Sequence, residues 1–304
     1  MIVILGPTAS GKTATALELS KLLPSEIISA DSRQVFRYLN IGTAKPVPEE
    51  LAAVKHHFID IVDPDEYYSA GRFGDEASEV ANDILNRGKI PVVVGGSGLY
   101  IRSLCEGFFE EEDSPQDRED TRQKLEKKLQ AQGIGVLYSE LEKVDPDSAK
   151  TYSDRNPRRI VRALEYFYNY NEPFSRAHKM RKTERDFRVM YFGIDLERQE
   201  LYRRINARSE LMWKTGLIEE TKAVLASGYS RDLNSLNTVG YKECIAYLMK
   251  EMTEQQAIDK MKQSTRNYAK RQMTWFRKTE GVRWLSGTPA ECASAVIPSL
   301  ENCE

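Results

Sequence analysis

Met1-Ile2-Val3-Ile4-Leu5-Gly6-Pro7-Thr8-Ala9-Ser10-Gly11-Lys12-Thr13 is the stretch whose reading decides the fold. Ile2–Leu5 is a continuous apolar run of strand length. Gly6–Thr13 matches GxxxxGK[ST], and Lys12–Leu23 reads as a helix. Strand, glycine loop and helix in that order are the context that makes this pattern a P-loop. Gly6, Thr8, Ala9, Ser10 and Gly11 are small enough to wrap the backbone so that its N–H groups converge on phosphate oxygens. Lys12 adds a point charge, and the Thr13 hydroxyl is placed to ligate Mg²⁺. The motif is specific for a bound polyphosphate. It leaves open whether that polyphosphate is a nucleotide such as ATP.

Outward from the loop, Glu26–Ala30, Phe58–Ile61 and Ile90–Val94 repeat the short apolar run, with helix-like Ala70–Arg87 and Ser97–Gly107 between and after them. Val189–Ile194 and Val282–Leu285 read as later strands of the same sheet. Near-continuous apolar strands alternating with helices predict an α/β fold with a parallel sheet covered on both faces. Composition changes at Glu110. An acidic run ends at Pro115, and from Gln116 to about Arg185 the pattern is helical throughout, with Asn156-Pro157 as a helix start. The expected organisation is a P-loop core (1–109), an all-helical insertion domain (110–187) and a second part of the core (188–304).

The 44 basic and 46 acidic residues of the 304 leave a net charge of −2, so any nucleic-acid contact must come from local clusters. No apolar run approaches the ~20 residues that a membrane span needs. The first residues form no leader pattern, which leads us to expect a cytoplasmic protein; a monomer is the default. Cys105, Cys244, Cys292 and Cys303 form no CxxC pair and share no zinc spacing with His56, His57 or His178, so free thiols are expected. His56 and His57 read as structural.

P-loop NTPases place a Mg²⁺-binding acid at a later strand end. Here Ile90–Val94 runs instead into Gly95-Gly96-Ser97-Gly98, either a second anion turn or simply a tight strand–helix connection. An acid does follow the second strand, in Asp31-Ser32-Arg33-Gln34. Carboxyl ends of parallel strands line the ligand crevice, so Asp31 lies on the P-loop edge. It is either a turn cap or a catalytic or metal-binding carboxylate. Lys262–Lys278 holds six basic residues and no acid, with Tyr268, Trp275 and Phe276 interleaved. Such a stripe suits phosphates and unpaired bases, or a solvated helix with its aromatics in the core. Arg155, Arg158, Arg159 and Arg162 form a second cluster.

Taken together these residues resemble the tRNA dimethylallyltransferase (tRNA isopentenyltransferase) family. The matching motifs are GPTASGKT (Gly6–Thr13), SADSRQVFR (Ser29–Arg37), IGTAKP (Ile41–Pro46), VVVGGSGLY (Val92–Tyr100), NPRRIVRALE (Asn156–Glu165), VGYKE (Val239–Glu243) and TRNYAKRQMTWFR (Thr265–Arg277). Phe36 stands where tyrosine is usual and Ser97 where threonine is common. A zinc-finger extension like that of some eukaryotic relatives is not expected.

The resemblance implies transfer of a dimethylallyl group from dimethylallyl diphosphate to the exocyclic amine of the tRNA adenosine 3′-adjacent to the anticodon, with Mg²⁺ as cofactor. It implies Asp31 as the group that accepts the amine proton. Lys12, Thr13 and Arg208 would serve the diphosphate, and Ser97 the reaction centre. It implies tRNA contacts at Asp31–Gln34, at Arg158, Arg159 and Arg162, at Asn237, Thr238, Val239, Gly240, Tyr241 and Lys242, and at Lys270, Arg271, Gln272, Trp275 and Arg277. Ser97 and Arg122 are expected to join them. Two rival readings are a small-molecule kinase using the same P-loop, and an isopentenyltransferase acting on free adenine nucleotides. The second would need neither the insertion nor the basic stripe.

Overall fold

The computed structural model describes residues 1–107, 115–176 and 187–301. The chain divides into two compact units, one of Met1–Cys105 with Arg185–Glu304 and one of Glu106–Glu184.

In the first unit, six strands form one sheet: β1 (Ile2–Leu5), β2 (Ser25–Ala30), β3 (His56–His57), β4 (Ile90–Gly95), β5 (Met190–Ile194) and β6 (Val282–Leu285). The order is β3-β2-β4-β1-β5-β6 and every pairing is parallel. All four β1 residues are buried, as a central strand covered on both faces requires. Ile2, Ile4, Ile27, Val92 and Val94 pack on one side with Ala16 and Leu19 of helix Lys12–Leu22 and with helix Pro289–Val296. Val3, Leu5, Ile28 and Val93 pack on the other side with Phe73, Ala77 and Ile84 of helix Ala70–Asn86. The chain leaves β1 toward β2 and leaves β4 toward β5, on opposite sides. The carboxyl ends of β1 and β4 therefore flank a topological switch point, where open α/β sheets bind ligands. The P-loop follows β1, and Gly95–Gly98 follows β4.

One expected strand is corrected. Phe58–Ile61 is not extended; β3 consists of the two histidines before it. Phe58 (φ 65°) and Asp60 (φ 56°) take left-handed conformations that end the ladder. The apolar character of Phe58 serves packing instead, edge-on to Phe73 with ring centroids 5.1 Å apart. His57 bonds the buried Glu26 carboxylate at 2.8 Å, and His56 Nδ1 lies 2.8 Å from the Val54 carbonyl. His57 is thus used structurally, whereas His56 lines the P-loop cavity and its Nε2 is buried with no partner among the described residues.

The second unit is helical, with Pro115–Gln132, Ile134–Val144, Pro146–Thr151 and Pro157–Tyr170 around Leu125, Leu137, Leu141, Ile160 and Leu164. Asn156 caps the last helix by accepting from the Arg158 and Arg159 amides, and Pro157 occupies the first turn, where its missing N–H costs nothing. The acidic residues 110–114, His178 and Cys303 lie outside the described residues. Cys244 and Cys292 are buried free thiols. Among the described residues no helix is long and apolar enough to cross a membrane.

Candidate active site

The P-loop runs along one wall of a cavity of about 560 Å³. Gly6 (φ 152°) and Gly11 (φ 100°) hold left-handed angles, and a Cβ on Gly6 would meet the Ile194 carbonyl at 3.3 Å. Ala9 also sits at φ 66°, a conformation that costs an alanine about 1–2 kcal/mol. Gly11 precedes helix Lys12–Leu22, so the loop ends on the unpaired N–H groups of a helix start. Thr8, Ala9, Gly11, Lys12 and Thr13 all line the cavity; Ser10 is buried behind it with an unpartnered hydroxyl.

Lys12, Arg208 and Asp31 meet on that space. Lys12 Nζ donates to the Pro7 carbonyl at 2.8 Å. Burial pushes its ammonium down to about 8, opposed by Asp31 and assisted by Arg208. Arg208 donates to the Thr8 hydroxyl. Burial lowers its pKa too, again opposed by Asp31. Asp31 is thus the anion that opposes the desolvation of both cations.

Asp31 Oδ1 accepts the Arg33 amide at 2.8 Å and the Gln34 amide at 3.4 Å. The turn-cap reading therefore holds alongside the cavity-facing one. Ser32 and Ser97 form a pair: the Ser32 amide donates to the Ser97 hydroxyl at 3.0 Å, and that hydroxyl bonds Ser32 Oγ at 3.3 Å. Ser97 is not among the cavity-lining residues. It joins the two strand ends, and its hydroxyl also bonds Tyr268, whose phenol burial and the Asp31 charge push up to about 12.

Several residues expected to meet RNA are used inside the protein. Gln34 accepts from Ser29 (2.9 Å) and donates to the Thr43 and Ala44 carbonyls (3.3 and 3.0 Å), so it holds the Ile41–Pro46 loop. Arg33 donates to the Asn234 carbonyl at 2.8 Å. Tyr241 is fully buried; its hydroxyl donates to Glu220 and accepts the Gly42 amide at 3.2 Å. Glu220 also accepts the Asn40 and Ile41 amides, each at 3.0 Å. A Cβ on Gly42 would lie 2.4 Å from the Tyr241 ring, which explains the glycine of IGTAKP. Gly240 (φ 104°) is buried and its amide bonds Glu243; Thr238 bonds the Ser235 carbonyl at 2.6 Å, and Val239 packs on the core. Of this segment, Asn237 and Lys242 are exposed.

The basic stripe lies on one helix, Glu254–Phe276, and its terminal turn. Lys262 pairs with Glu210 at 2.6 Å and Arg266 bonds Asn206 at 2.6 Å, so these two bind helix Arg198–Met212. Gln272 is buried and spans two loops. Lys270, Arg271, Arg277 and Lys278 are exposed, with Arg271 over the Tyr268 ring. Trp275 is half-exposed and lies against Gly98, where a Cβ would approach its indole to 2.3 Å. The glycines after β4 thus admit side chains of this helix, and Gly95 and Gly96 also line the cavity with the P-loop.

In the helical unit, Arg162 pairs with Glu165 at 3.2 Å, Arg159 with Asp154 at 3.8 Å, and Arg122 with Glu126 at 3.1 Å. Arg158 is exposed. Sequence reading passed over several cavity-lining residues, among them Glu50, His56, Arg203 and Arg204, and the loop anchor Glu220. The spacing Arg204–Arg208–Leu211 puts three residues on one helix face and was the signal for Arg204.

A family model described as IPP transferase matches residues 34–279. A tRNA dimethylallyltransferase of Acetivibrio thermocellus is 40% identical over 302 residues, which is 99% of this chain and 96% of that protein. tRNA dimethylallyltransferase 2 of Geotalea uraniireducens is 44% identical over 290 residues, 94% and 91% of the two chains. The crystal structure of a full-length tRNA isopentenylpyrophosphate transferase from Bacillus halodurans matches with a TM-score of 0.71 at 38% identity, covering 99% of this chain and 96% of that one. A eukaryotic dimethylallyltransferase described as acting on tRNA matches with a TM-score of 0.82 at 27% identity, covering 100% and 79%. The matches span nearly the whole chain, and this chain belongs to the IPP transferase family.

Proposed function

We propose that this chain transfers a dimethylallyl group from dimethylallyl diphosphate to the exocyclic amine of the adenosine 3′-adjacent to the anticodon in tRNA, releasing diphosphate. The observation that carries the reading is the meeting of Lys12, Arg208 and Asp31 on one cavity that begins at the P-loop. Cleavage of an allylic C–O bond builds negative charge on the departing diphosphate. Cations already desolvated beside it stabilise that charge more than solvated ones would. The adenine amine is a weak nucleophile because its lone pair is delocalised, and Asp31 serves to orient it and accept its proton.

The donor set fits Mg²⁺. Thr13 and Asp31 offer hard oxygens on the cavity wall, and among the described residues no cluster of three His, Cys, Asp or Glu exists to cage a metal. Mg²⁺ typically needs few protein ligands because it shares substrate phosphate oxygens. The Thr13 hydroxyl would hold it, and it would supply neutralising charge to the leaving group.

The Lys12 ammonium gives a pH signature. The cationic form grips diphosphate and is fully present well below pH 8. Corrected for the ligand's own protonation, affinity for inorganic pyrophosphate therefore falls as pH rises through about 8, with the protein taking up a proton on binding in that range. Calorimetry in buffers of different ionisation enthalpy checks both. A flat affinity up to about pH 9.5 removes Lys12 from the grip.

For tRNA, the exposed cations Arg158, Lys270, Arg271 and Arg277 are the phosphate ligands of choice. Asn237, Lys242 and Trp275 are the other exposed groups in matching segments. Arg158→Ala weakens tRNA binding and lowers the slope of log K against log salt by ~0.7–0.9 per lost phosphate contact. A filter-binding salt series showing the wild-type slope removes Arg158 from the RNA surface. Arg162 is a poor probe, since its loss strands the buried Glu165.

The direct test of the activity offers labelled dimethylallyl diphosphate to a mixture of tRNA, ATP and AMP. Label is expected in tRNA. Label in AMP would make the protein a free-nucleotide enzyme.

A further inference from the structure

We propose that Gln272, carried on the basic helix Glu254–Phe276, is a positioning residue for the diphosphate pocket and not an RNA contact. The inference rests on the reading of the P-loop as the diphosphate site. Gln272 is buried, and both ends of its carboxamide are used. Oε1 accepts the amide of Thr8, inside the P-loop, at 2.8 Å. Nε2 donates to the carbonyl of Gly96, in the turn after β4, at 2.8 Å. The residue therefore ties together the two loops that flank the switch point.

The geometry gives the contact a consequence for the donor. The Thr8 amide is directed to Gln272, which leaves the later P-loop amides to meet phosphate. The Thr8 hydroxyl accepts from Arg208, the guanidinium on the cavity wall. A chain of hydrogen bonds thus runs from Gln272 through Thr8 to Arg208, and Gln272 sets where that guanidinium sits. The same helix is fastened to the Arg208 helix by Arg266–Asn206 and Lys262–Glu210, so the frame on both sides of the chain is fixed. A Cβ on Gly96 would lie 2.1 Å from Gln272 Nε2, so the glycine is required for the carboxamide to reach the turn.

The experiment uses the full chain and two variants. Gln272→Met keeps the side chain's length and removes both hydrogen bonds. Gly96→Ala pushes the carboxamide away from the opposite side and, since Gly96 also lines the cavity, counts only alongside Gln272→Met. Inorganic pyrophosphate affinity is measured without RNA, and tRNA affinity without donor. Each variant is expected to bind pyrophosphate about tenfold more weakly, the cost of displacing one charge-assisted hydrogen bond from Arg208, and tRNA within about twofold of wild type. In turnover the loss appears in the KM for the prenyl donor more than in kcat.

Weakened tRNA binding with unchanged pyrophosphate affinity would make Gln272 an RNA ligand and overturn the proposal. A parallel fall of both affinities together with the melting temperature would overturn it as well, leaving only a packing role. Should Gln272→Met fail to fold, Gln272→Asn, too short to hold both loops, decides by the same readings. Pyrophosphate binding does not depend on which acceptor is prenylated. Failure of the activity assay and failure of this proposal are therefore separate results.

Discussion

Asp31→Asn lowers the single-turnover rate of prenyl transfer by about 10²–10⁴-fold, the usual worth of a positioned general base. Asparagine is the informative replacement because Asp31 also caps its own turn. Its Oδ1 accepts the Arg33 and Gln34 amides, and an amide oxygen keeps those bonds while losing the ability to take a proton. Alanine would remove the cap and the base together. The variant has a second consequence. Asp31 is the anion that opposes the desolvation of Lys12 and Arg208. Without it the Lys12 ammonium titrates below 8, so the pH at which pyrophosphate affinity begins to fall moves down. Rapid-quench rates at saturating donor check the first effect, and a pH series of pyrophosphate binding checks the second. An asparagine variant with the wild-type chemical rate would end the role of Asp31 as base.

Arg208→Ala lowers kcat/KM for the donor by about 10²–10³-fold, the range seen when one preorganised donor to a developing oxyanion is removed. The guanidinium is buried on the cavity wall and reaches across to Thr8, so no solvated side chain replaces it. The removal also raises the Lys12 pKa, because Arg208 is one of the groups that lower it. The alkaline limb of pyrophosphate binding therefore moves up in this variant and down in Asp31→Asn. Opposite shifts from two neighbouring substitutions are difficult to obtain from a general loss of structure. Equal shifts in one direction would show that the three charges do not share a site.

The P-loop was legible because strand, glycine loop and helix constrain one another over a short stretch, and local geometry and local sequence agree. The parallel sheet was legible for a similar reason: strands buried on both faces read as unbroken apolar runs. Phe58–Ile61 reads the same way and is not a strand, because an apolar run reports burial and not extension. At the site, the motifs drew attention to segments around the cavity but did not show which partners individual side chains take. Tyr241 and Gln34 lie in segments expected to touch RNA, and both spend their polar atoms inside the protein, where they hold the loop from Asn40 to Pro46. A single sequence shows that Tyr241 is present. It does not show that Glu220 waits for the hydroxyl, since that pairing is made by the fold. Arg162 and Arg159 read as a free cluster for the same reason, because Glu165 and Asp154 become their partners only once the helices form.

In the proposed reaction a diphosphate leaves while a nitrogen of tRNA is alkylated, so the two products are tied one to one. The most direct measurement is the stoichiometry of pyrophosphate released to prenylated adenosine formed, with purified protein, dimethylallyl diphosphate, Mg²⁺ and unmodified tRNA. Equimolar amounts are expected, with neither product formed when tRNA is withheld. Cleavage of ATP at its terminal phosphate with no prenylated nucleoside in the tRNA digest would contradict the proposed activity.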